Sequence, residues 1–381
     1  MDVTRPKLAS LESLRGLLAL WVVVAHVTAR VISEDTIAGF HARAPLEPLL
    51  PVYVFMILSG FVIFHLLQRE QESYRGFILR RFFRLAPLYF VMLIVSAQIV
   101  HFELRTLDNL FWRNPHIYDA IKIHHETLAR FWPHFWSHLF LAQGLVPEFV
   151  LPDANFTFLS QGWSISLEWQ FYLLAPLVFW LIARRRYLGF SLLALAVAGI
   201  SLIGYPSVGF LPNQFAWFAL GIASFYVYRR CDWFARLNPR THDLLLPAAG
   251  VVLFFLLRNP WPVLVWLVVL DVILAQRAGL ETAMTRTARR ILELPVLQWL
   301  GRISYSVYLV HLAILYVVLR AITRLDEHLG GWKVLVLALP ATIILTLIVA
   351  TVTYRWIEVP GMALGRRLSA ASRLAAQPRA A

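Results

Sequence analysis

The chain has little charge and almost no cysteine for its length, and these shortages exclude several classes of protein. Asp, Glu, Lys and Arg make up 15% of 381 residues, whereas 59% are hydrophobic, and mean hydropathy is +0.64. This balance excludes a soluble protein and is typical of a chain dissolved largely in lipid. The single cysteine, Cys231, excludes an intrachain disulfide and any metal site built from several cysteines.

Metal-ligand motifs, a concentrated basic region and internal repeats are missing as well. The chain contains no His-Glu-x-x-His pattern, and we predict no metal site. The net charge of +13 is spread over the connections between apolar runs, which argues against a nucleic-acid partner. No motif of the first half recurs in the second. Transporters built from related halves would show such a repeat.

Apolar runs of about 20 residues dominate the rest of the sequence, and each is long enough to cross a bilayer as a helix. Basic clusters occupy alternate connections, so the positive-inside rule predicts that both termini are cytoplasmic. We expect an all-α integral membrane protein with about ten transmembrane helices, one domain over residues 1–360 and a disordered cytoplasmic tail over 361–381. The predicted spans are 11–31, 46–67, 82–101, 163–182, 187–204, 213–229, 243–257, 260–276, 302–322 and 333–356.

The largest connection, residues 102–162, falls on the extracytoplasmic side in this topology. It is rich in histidine and aromatic residues, and the stretch from His134 to Leu145 is expected to form a short re-entrant or interfacial helix. We interpret the loop as an aromatic, hydrogen-bonding surface that contacts sugar rings.

Arg15 and His26 lie eleven residues apart within one apolar run. On a helix this spacing is close to three turns, so both side chains point the same way, about 16 Å apart along the axis. Ionisable groups at the depth of a bilayer are costly and usually mark a polar cavity or a functional site. The pair is therefore our first candidate for an intramembrane site.

Glu168 enters the fourth predicted span from the outer side, at a depth that matches that of His26. A carboxylate within hydrogen-bond reach of an imidazole orients the ring and raises its basicity. The alternative, which the sequence leaves open, is a structural glutamate satisfied by neighbouring Trp and Ser donors.

Three arginines, Arg80, Arg81 and Arg84, open the third predicted span and are followed by Pro87. Closely spaced guanidinium groups make a good phosphate grip because each offers a rigid fork of donors. Ordinary topology signalling with lipid headgroups explains them equally well.

Ser304, Tyr308 and His311 follow an i, i+4, i+7 pattern and would share one helix face. That face could line a substrate path or form a hydrogen-bonded seam between helices. Together with residues of the fourth span, the side chains predicted to line the path are Trp163, Ser166, Tyr172, Ser304, Tyr308 and His311.

Two acidic residues are given structural roles. Arg355 and Glu358 are three residues apart where the last span ends, and we expect a local ion pair. Asp271 stands alone in the eighth span, without an evident partner in the sequence, and is interpreted as a support residue.

Taken in order, these motifs resemble those of the membrane-bound acyltransferase family 3. They are Arg15 and His26 with ten residues between them, Arg81-x-x-Arg84 with a following Pro, Trp163-Ser-x-Ser-x-Glu-x-x-Phe-Tyr172, Ser304-Tyr-x-x-Tyr-x-x-His311 and Glu358-x-Pro360. The similarity extends from Leu8 to about Pro360. It implies an O-acyltransferase of the bacterial inner membrane that moves an acyl group, usually acetyl, to a hydroxyl of lipopolysaccharide, exopolysaccharide or another glycan, or of a small molecule such as a macrolide.

The resemblance also suggests partners and roles. Acetyl-CoA, or another acyl-CoA, would be a co-substrate, with no permanently bound cofactor, and Arg80, Arg81 and Arg84 would hold its phosphates. Arg15 would guide the donor, and His26, oriented by Glu168, would deprotonate the acceptor hydroxyl or carry the acyl group itself. The acceptor would be a glycan or lipid-linked saccharide, and the lipid bilayer would surround the helices. A homo-oligomer and an extracytoplasmic partner both stay open.

A secondary transporter or flippase of a lipid-linked sugar is the main rival hypothesis. It would also have intramembrane His, Glu and Arg side chains and basic inner loops. Broken helices near the midplane would be expected of it, whereas Pro and Gly lie mainly near the ends of the predicted spans.

Overall fold

The computed structural model describes residues 8–32, 46–70, 72–202, 207–257, 259–280, 282–326, 329 and 331–376. All regular structure in these ranges is helical, as predicted. The helices are α1 (Ala9–Val31), α2 (Leu49–Glu70), α3 (Tyr74–Asp108), α4 (Pro115–Ala129), α5 (Phe131–Leu139), α6 (Trp163–Ala183), α7 (Tyr187–Leu202), α8 (Leu211–Arg229), α9 (Pro239–Leu256), α10 (Trp261–Ala278), α11 (Ala283–Leu292), α12 (Pro295–Leu325), α13 (Trp332–Thr353) and α14 (Val359–Ala376).

Seven helices within the described ranges are long and apolar enough to cross a membrane. They are α1, α2, α3, α6, α10, α12 and the continuous helix Trp332–Ala370. The predicted spans at 187–204, 213–229 and 243–257 coincide with α7, α8 and α9, which fall outside that set. A multi-pass, all-α membrane protein is thus confirmed, while the count of ten and the orientation of the termini stay predictions.

Helices α3 and α12 are longer than their predicted spans. With 35 and 31 residues they measure roughly 52 Å and 46 Å, against about 30 Å for the hydrocarbon core. Ser73 caps α3, where its side chain accepts a hydrogen bond from the Gly76 amide. Both helices therefore carry polar residues beyond the bilayer, where the sequence predicted loops.

The chain divides into two compact units. The first contains residues 1–29, 34–62 and 217–308, and the second contains 30–33, 63–216 and 309–381. In the first unit, a Cβ at Gly301 would overlap the carbonyl oxygen of Glu12, and one at Gly221 would overlap that of Ile57. These glycines let helix backbones approach closely, as small residues do in membrane bundles.

An aromatic cluster and a buried pair of polar side chains complete the core of the first unit. The Phe61 ring packs edge-to-face against Phe225, Tyr228 and Trp266. Asp271, expected to have no partner, instead lies 2.7 Å from Nε2 of His242. The sequence missed this contact because α9 begins at Pro239, a turn before the predicted span, and so brings His242 to α10.

In the second unit α14 packs along α3. Cβ atoms at Gly361 and Gly365 would clash with Pro87 and Phe83, so these glycines permit the close contact. The tail predicted to be disordered is consequently helical as far as Ala376, since it buries its small residues against α3. Residues 377–381 lie outside the described ranges.

Candidate functional site

Arg15 and His26 lie on one face of α1, which is continuous from Ala9 to Val31. Both side chains are half-buried, whereas Val22 and Ala25 beside them are fully buried. Nδ1 of His26 is 2.9 Å from the Val22 carbonyl oxygen and donates a hydrogen to it. In the neutral imidazole this tautomer makes Nε2 a proton acceptor, which is the state a general base needs.

Ser304, Tyr308 and His311 share α12 in the predicted register, and all three are buried. Tyr308 packs edge-to-face on Phe55, with ring centroids 6.2 Å apart. Oγ of Ser304 is buried without a hydrogen-bond partner among the residues that the structure describes. The ring packing of Tyr308 fits the helix seam, while the Ser304 hydroxyl keeps its hydrogen-bonding capacity.

Two of the three arginines predicted to bind phosphate are paired with carboxylates. Arg80 forms ion pairs with Glu70 and Glu72, and Arg84 forms one with the buried Glu358. Arg81 instead places its guanidinium 5.8 Å and 5.9 Å from the ring centroids of Phe77 and Tyr172. Arg81 is therefore the member of this cluster for which the described contacts are aromatic rather than acidic.

Glu358 does not form the predicted local pair with Arg355. A π-helical turn, Tyr354–Glu358, replaces the α-helical spacing on which that pair depended. Glu358 is buried and faces Arg84, whereas Arg355 is exposed. The role that these contacts give Glu358 is structural, but the residue joins two segments that are distant in sequence rather than two positions of one helix turn.

The entry of α6 contains four of the predicted site residues. Trp163 and Ser166 are buried, and Glu168 accepts a hydrogen bond from the Tyr172 hydroxyl one turn later. Ser166 donates to the Leu141 carbonyl at 2.6 Å and accepts from the Gly144 amide at 3.3 Å. Ser166 thus holds residues 141–144 against α6, while Tyr172 orients the Glu168 carboxylate.

Residues 131–139 form a helix within the segment predicted to be extracytoplasmic, as expected for 134–145, and its histidines, His134 and His138, are buried. His138 is fully buried, and its Nε2 donates to the Ala154 carbonyl at 3.0 Å, so Nδ1 must accept from the Tyr89 hydroxyl, also at 3.0 Å. Burial lowers the pKa of His138 to about 3. The exposed surface of this segment is aromatic, as expected, and includes Trp132, Trp136 and Phe140.

Comparison with known proteins agrees with this architecture. A family model described as an acyltransferase domain, that of acyltransferase family 3, matches residues 8–355. The chain belongs to this family of acyltransferases. Among curated relatives, peptidoglycan O-acetyltransferase OatA of Listeria monocytogenes is 24% identical over 388 residues, which cover 94% of this chain and 56% of OatA. Acyltransferase MdmB of Streptomyces mycarofaciens is 28% identical over 182 residues, which cover 47% of this chain and 41% of MdmB.

The chain spans about half the length of the curated relatives it matches. No solved structure matches it. The predicted roles of the site residues, including any pairing of His26 with Glu168, stay predictions.

The second unit also contains a buried polar cluster that the sequence did not predict. His124 donates from Nδ1 to the Ala120 carbonyl at 2.7 Å, so its Nε2, 3.1 Å from Oε2 of Glu103, must share one proton with that carboxylate. Tyr316 packs edge-to-face on His124 and hydrogen-bonds Arg30, which lies one turn beyond His26 on α1. A cavity of about 10 Å³ beside the pair has room for one water molecule.

Glu103 and His124 of this cluster both lie in the predicted connection between two spans. Glu103 lies two residues beyond the predicted end of the third span, although α3 continues to Asp108. His124 lies in the predicted loop 102–162, where it is buried whereas its neighbour His125 is exposed. A helical periodicity test on residues 115–129 would have separated the two.

Proposed function

We propose that this chain is an O-acyltransferase that moves an acyl group, acetyl in the simplest case, from cytoplasmic acyl-CoA to a hydroxyl of a cell-surface glycan. The observation that supports it most is the α1 face that presents Arg15 and His26, with His26 in the tautomer that leaves Nε2 as proton acceptor. The relative OatA is a peptidoglycan O-acetyltransferase, which favours a glycan acceptor. A bacterial inner membrane is the compartment that such a donor and acceptor require.

In the proposed reaction the acceptor oxygen attacks the thioester carbonyl carbon. His26 Nε2 takes the hydroxyl proton as the new C–O bond forms, the C–S bond breaks, and the proton passes to the coenzyme A sulfur. In the alternative, Nε2 attacks the thioester carbonyl carbon first, the C–S bond breaks, and departure of the coenzyme A thiolate leaves an acyl-histidine. The acceptor oxygen then takes the acyl group from Nε2, and its hydroxyl proton passes to the thiolate. In either case the Val22 carbonyl accepts a hydrogen bond from the His26 ring and fixes its orientation. We assign a second orienting role to the carboxylate of Glu168, which accepts a hydrogen bond from Tyr172.

The donor contacts are assigned to Arg15 and to the arginine cluster of α3. Because Arg80 and Arg84 already face carboxylates, Arg81 is the cluster member best suited to a phosphate. The acceptor would approach from the outer side, where the exposed Trp132 and Trp136 offer flat apolar faces for sugar rings.

The test uses purified protein in proteoliposomes with labelled acetyl-CoA and surface glycan from the host. We expect release of coenzyme A and label on the glycan, with turnover reduced at least about 10²-fold by His26→Ala. His101→Ala, an exposed histidine of α3, is the matched control. Wild-type turnover of His26→Ala would contradict the mechanism, and movement of unmodified saccharide without coenzyme A release would indicate the transporter. Mass spectrometry of the product identifies the acyl group and separates a glycan from a small-molecule acceptor such as a macrolide.

A further inference from the structure

Three consecutive arginines, Arg184 to Arg186, form the turn that joins α6 to α7. The turn closes by hydrogen bonds from the Arg185 amide to the Ile182 carbonyl at 3.1 Å and from the Arg186 amide to the Leu181 carbonyl at 2.9 Å. This pattern requires a left-handed residue, and Arg185 supplies it with φ at 52°. Glycine is the residue favoured there because a Cβ is strained in that conformation.

The charges of this turn differ from those of the α3 cluster. Arg184, Arg185 and Arg186 are exposed, and among the residues that the structure describes no carboxylate forms an ion pair with them. The Arg186 guanidinium lies 4.6 Å over the Trp180 ring. Positive charge therefore accumulates at one point of the surface beside an aromatic wall, whereas Arg80 and Arg84 are neutralised.

The same residues border an open cleft of about 580 Å³. Its lining consists of Trp180, Leu181, Arg185, Arg186, Tyr187, Leu188 and Gly189. The cleft is open to solvent, and guanidinium groups match phosphate oxygens in geometry and charge. A topology signal alone would be met by arginines anywhere on the connection and would not need one in a strained turn.

We infer that this cleft is a phosphate-binding site, distinct from the arginine cluster of α3. Two sources carry the required chemistry. One is the phosphate of coenzyme A, which rests on the proposed function, and the other is the headgroup of an anionic phospholipid.

The test replaces Arg185 with glycine. Arg185→Gly removes the central charge while relieving the turn, so the variant is expected to melt no lower than wild type. Arg185→Lys keeps a positive charge and is the matched control. Coenzyme A binding is measured by calorimetry in nanodiscs of phosphatidylcholine, without acceptor, and retention of phosphatidylglycerol is measured by native mass spectrometry.

We expect Arg185→Gly to lower the affinity for one of the two ligands by about tenfold, the effect of losing one charge-assisted contact. The affinities of Arg185→Lys should stay near those of the wild type. Loss of coenzyme A affinity alone identifies the donor as the source, and loss of phosphatidylglycerol alone identifies the lipid. Wild-type values for both ligands would overturn the site. Neither measurement depends on turnover, so a failure here is separate from a failure of His26 as the base.

Discussion

Arg84 of α3 and Glu358 of the π turn form an ion pair across 274 residues of sequence. Glu358 is 2% exposed and Arg84 is half-buried, so the carboxylate lies away from water. Removing one partner of such a pair leaves an uncompensated charge in a low dielectric, which costs more than removing both. The pair fixes the point where α13 leads into α14, and α14 in turn packs along α3.

We expect Glu358→Gln to lower the free energy of unfolding by about 2 kcal/mol, because the half-buried Arg84 then loses its counter-charge and a charge-assisted hydrogen bond. The double variant Arg84→Met with Glu358→Leu should recover much of that loss. Thermal unfolding in detergent measures both. Glu293→Gln, an exposed glutamate at the end of α11, is the control. A melting temperature of Glu358→Gln equal to wild type would show that the ion pair does not stabilise the fold.

This pair illustrates how far the sequence could lead. The helical positions of Arg15, His26 and the α12 residues follow from local spacing, and the structure confirms them. The partners of Glu358 and Asp271 depend on which helices pack together and where each begins, and those facts are not local. Helix ends beyond the bilayer were missed for a related reason, since polar residues at Glu103 and His124 interrupt the apolar pattern although the backbone stays helical.

Tyr172→Phe tests whether the Glu168 carboxylate needs its hydroxyl donor. Loss of a hydrogen bond to a charged group is worth about 1.5–3 kcal/mol, so we expect kcat to fall by about tenfold or more, with the KM for acyl-CoA little changed. Tyr74→Phe is the control, because the Tyr74 hydroxyl also donates to α6, but to the Leu173 carbonyl at 3.2 Å. Equal effects of the two variants would mean that Tyr172 acts through packing alone.

Burial of His138 predicts a loss of stability in acid. Its pKa is about 3 in the folded protein and about 6.5 when unfolded, so between these values the unfolded chain binds the extra proton. The contribution of His138 is therefore complete above pH 6.5 and declines as the pH falls towards 3. At pH 5 the loss is about 2 kcal/mol.

Stability curves of wild type and His138→Gln at pH 7 and pH 5 measure this effect. The variant should be less stable at pH 7, because Tyr89 loses its acceptor, but its stability should change less between the two pH values. His125→Gln, at an exposed position, should keep the wild-type pH dependence. The same pH dependence in His138→Gln and wild type would assign the acid sensitivity to other groups.

Gly301→Ala tests the close crossing of α1 and α12, the helices that carry His26 and Ser304. An added methyl group would overlap the Glu12 carbonyl, and backbone cannot move aside as a flexible side chain can. Overpacking of this kind costs about 1–3 kcal/mol, so we expect a lower melting temperature. Gly250→Ala places its methyl group 3.6 Å from Leu264, an ordinary contact, and should be neutral or stabilising. Activity of Gly301→Ala should fall even below its melting temperature, because separating the two helices displaces the face of α1 that presents Arg15 and His26. Full activity with a reduced melting temperature would show that the crossing serves stability alone.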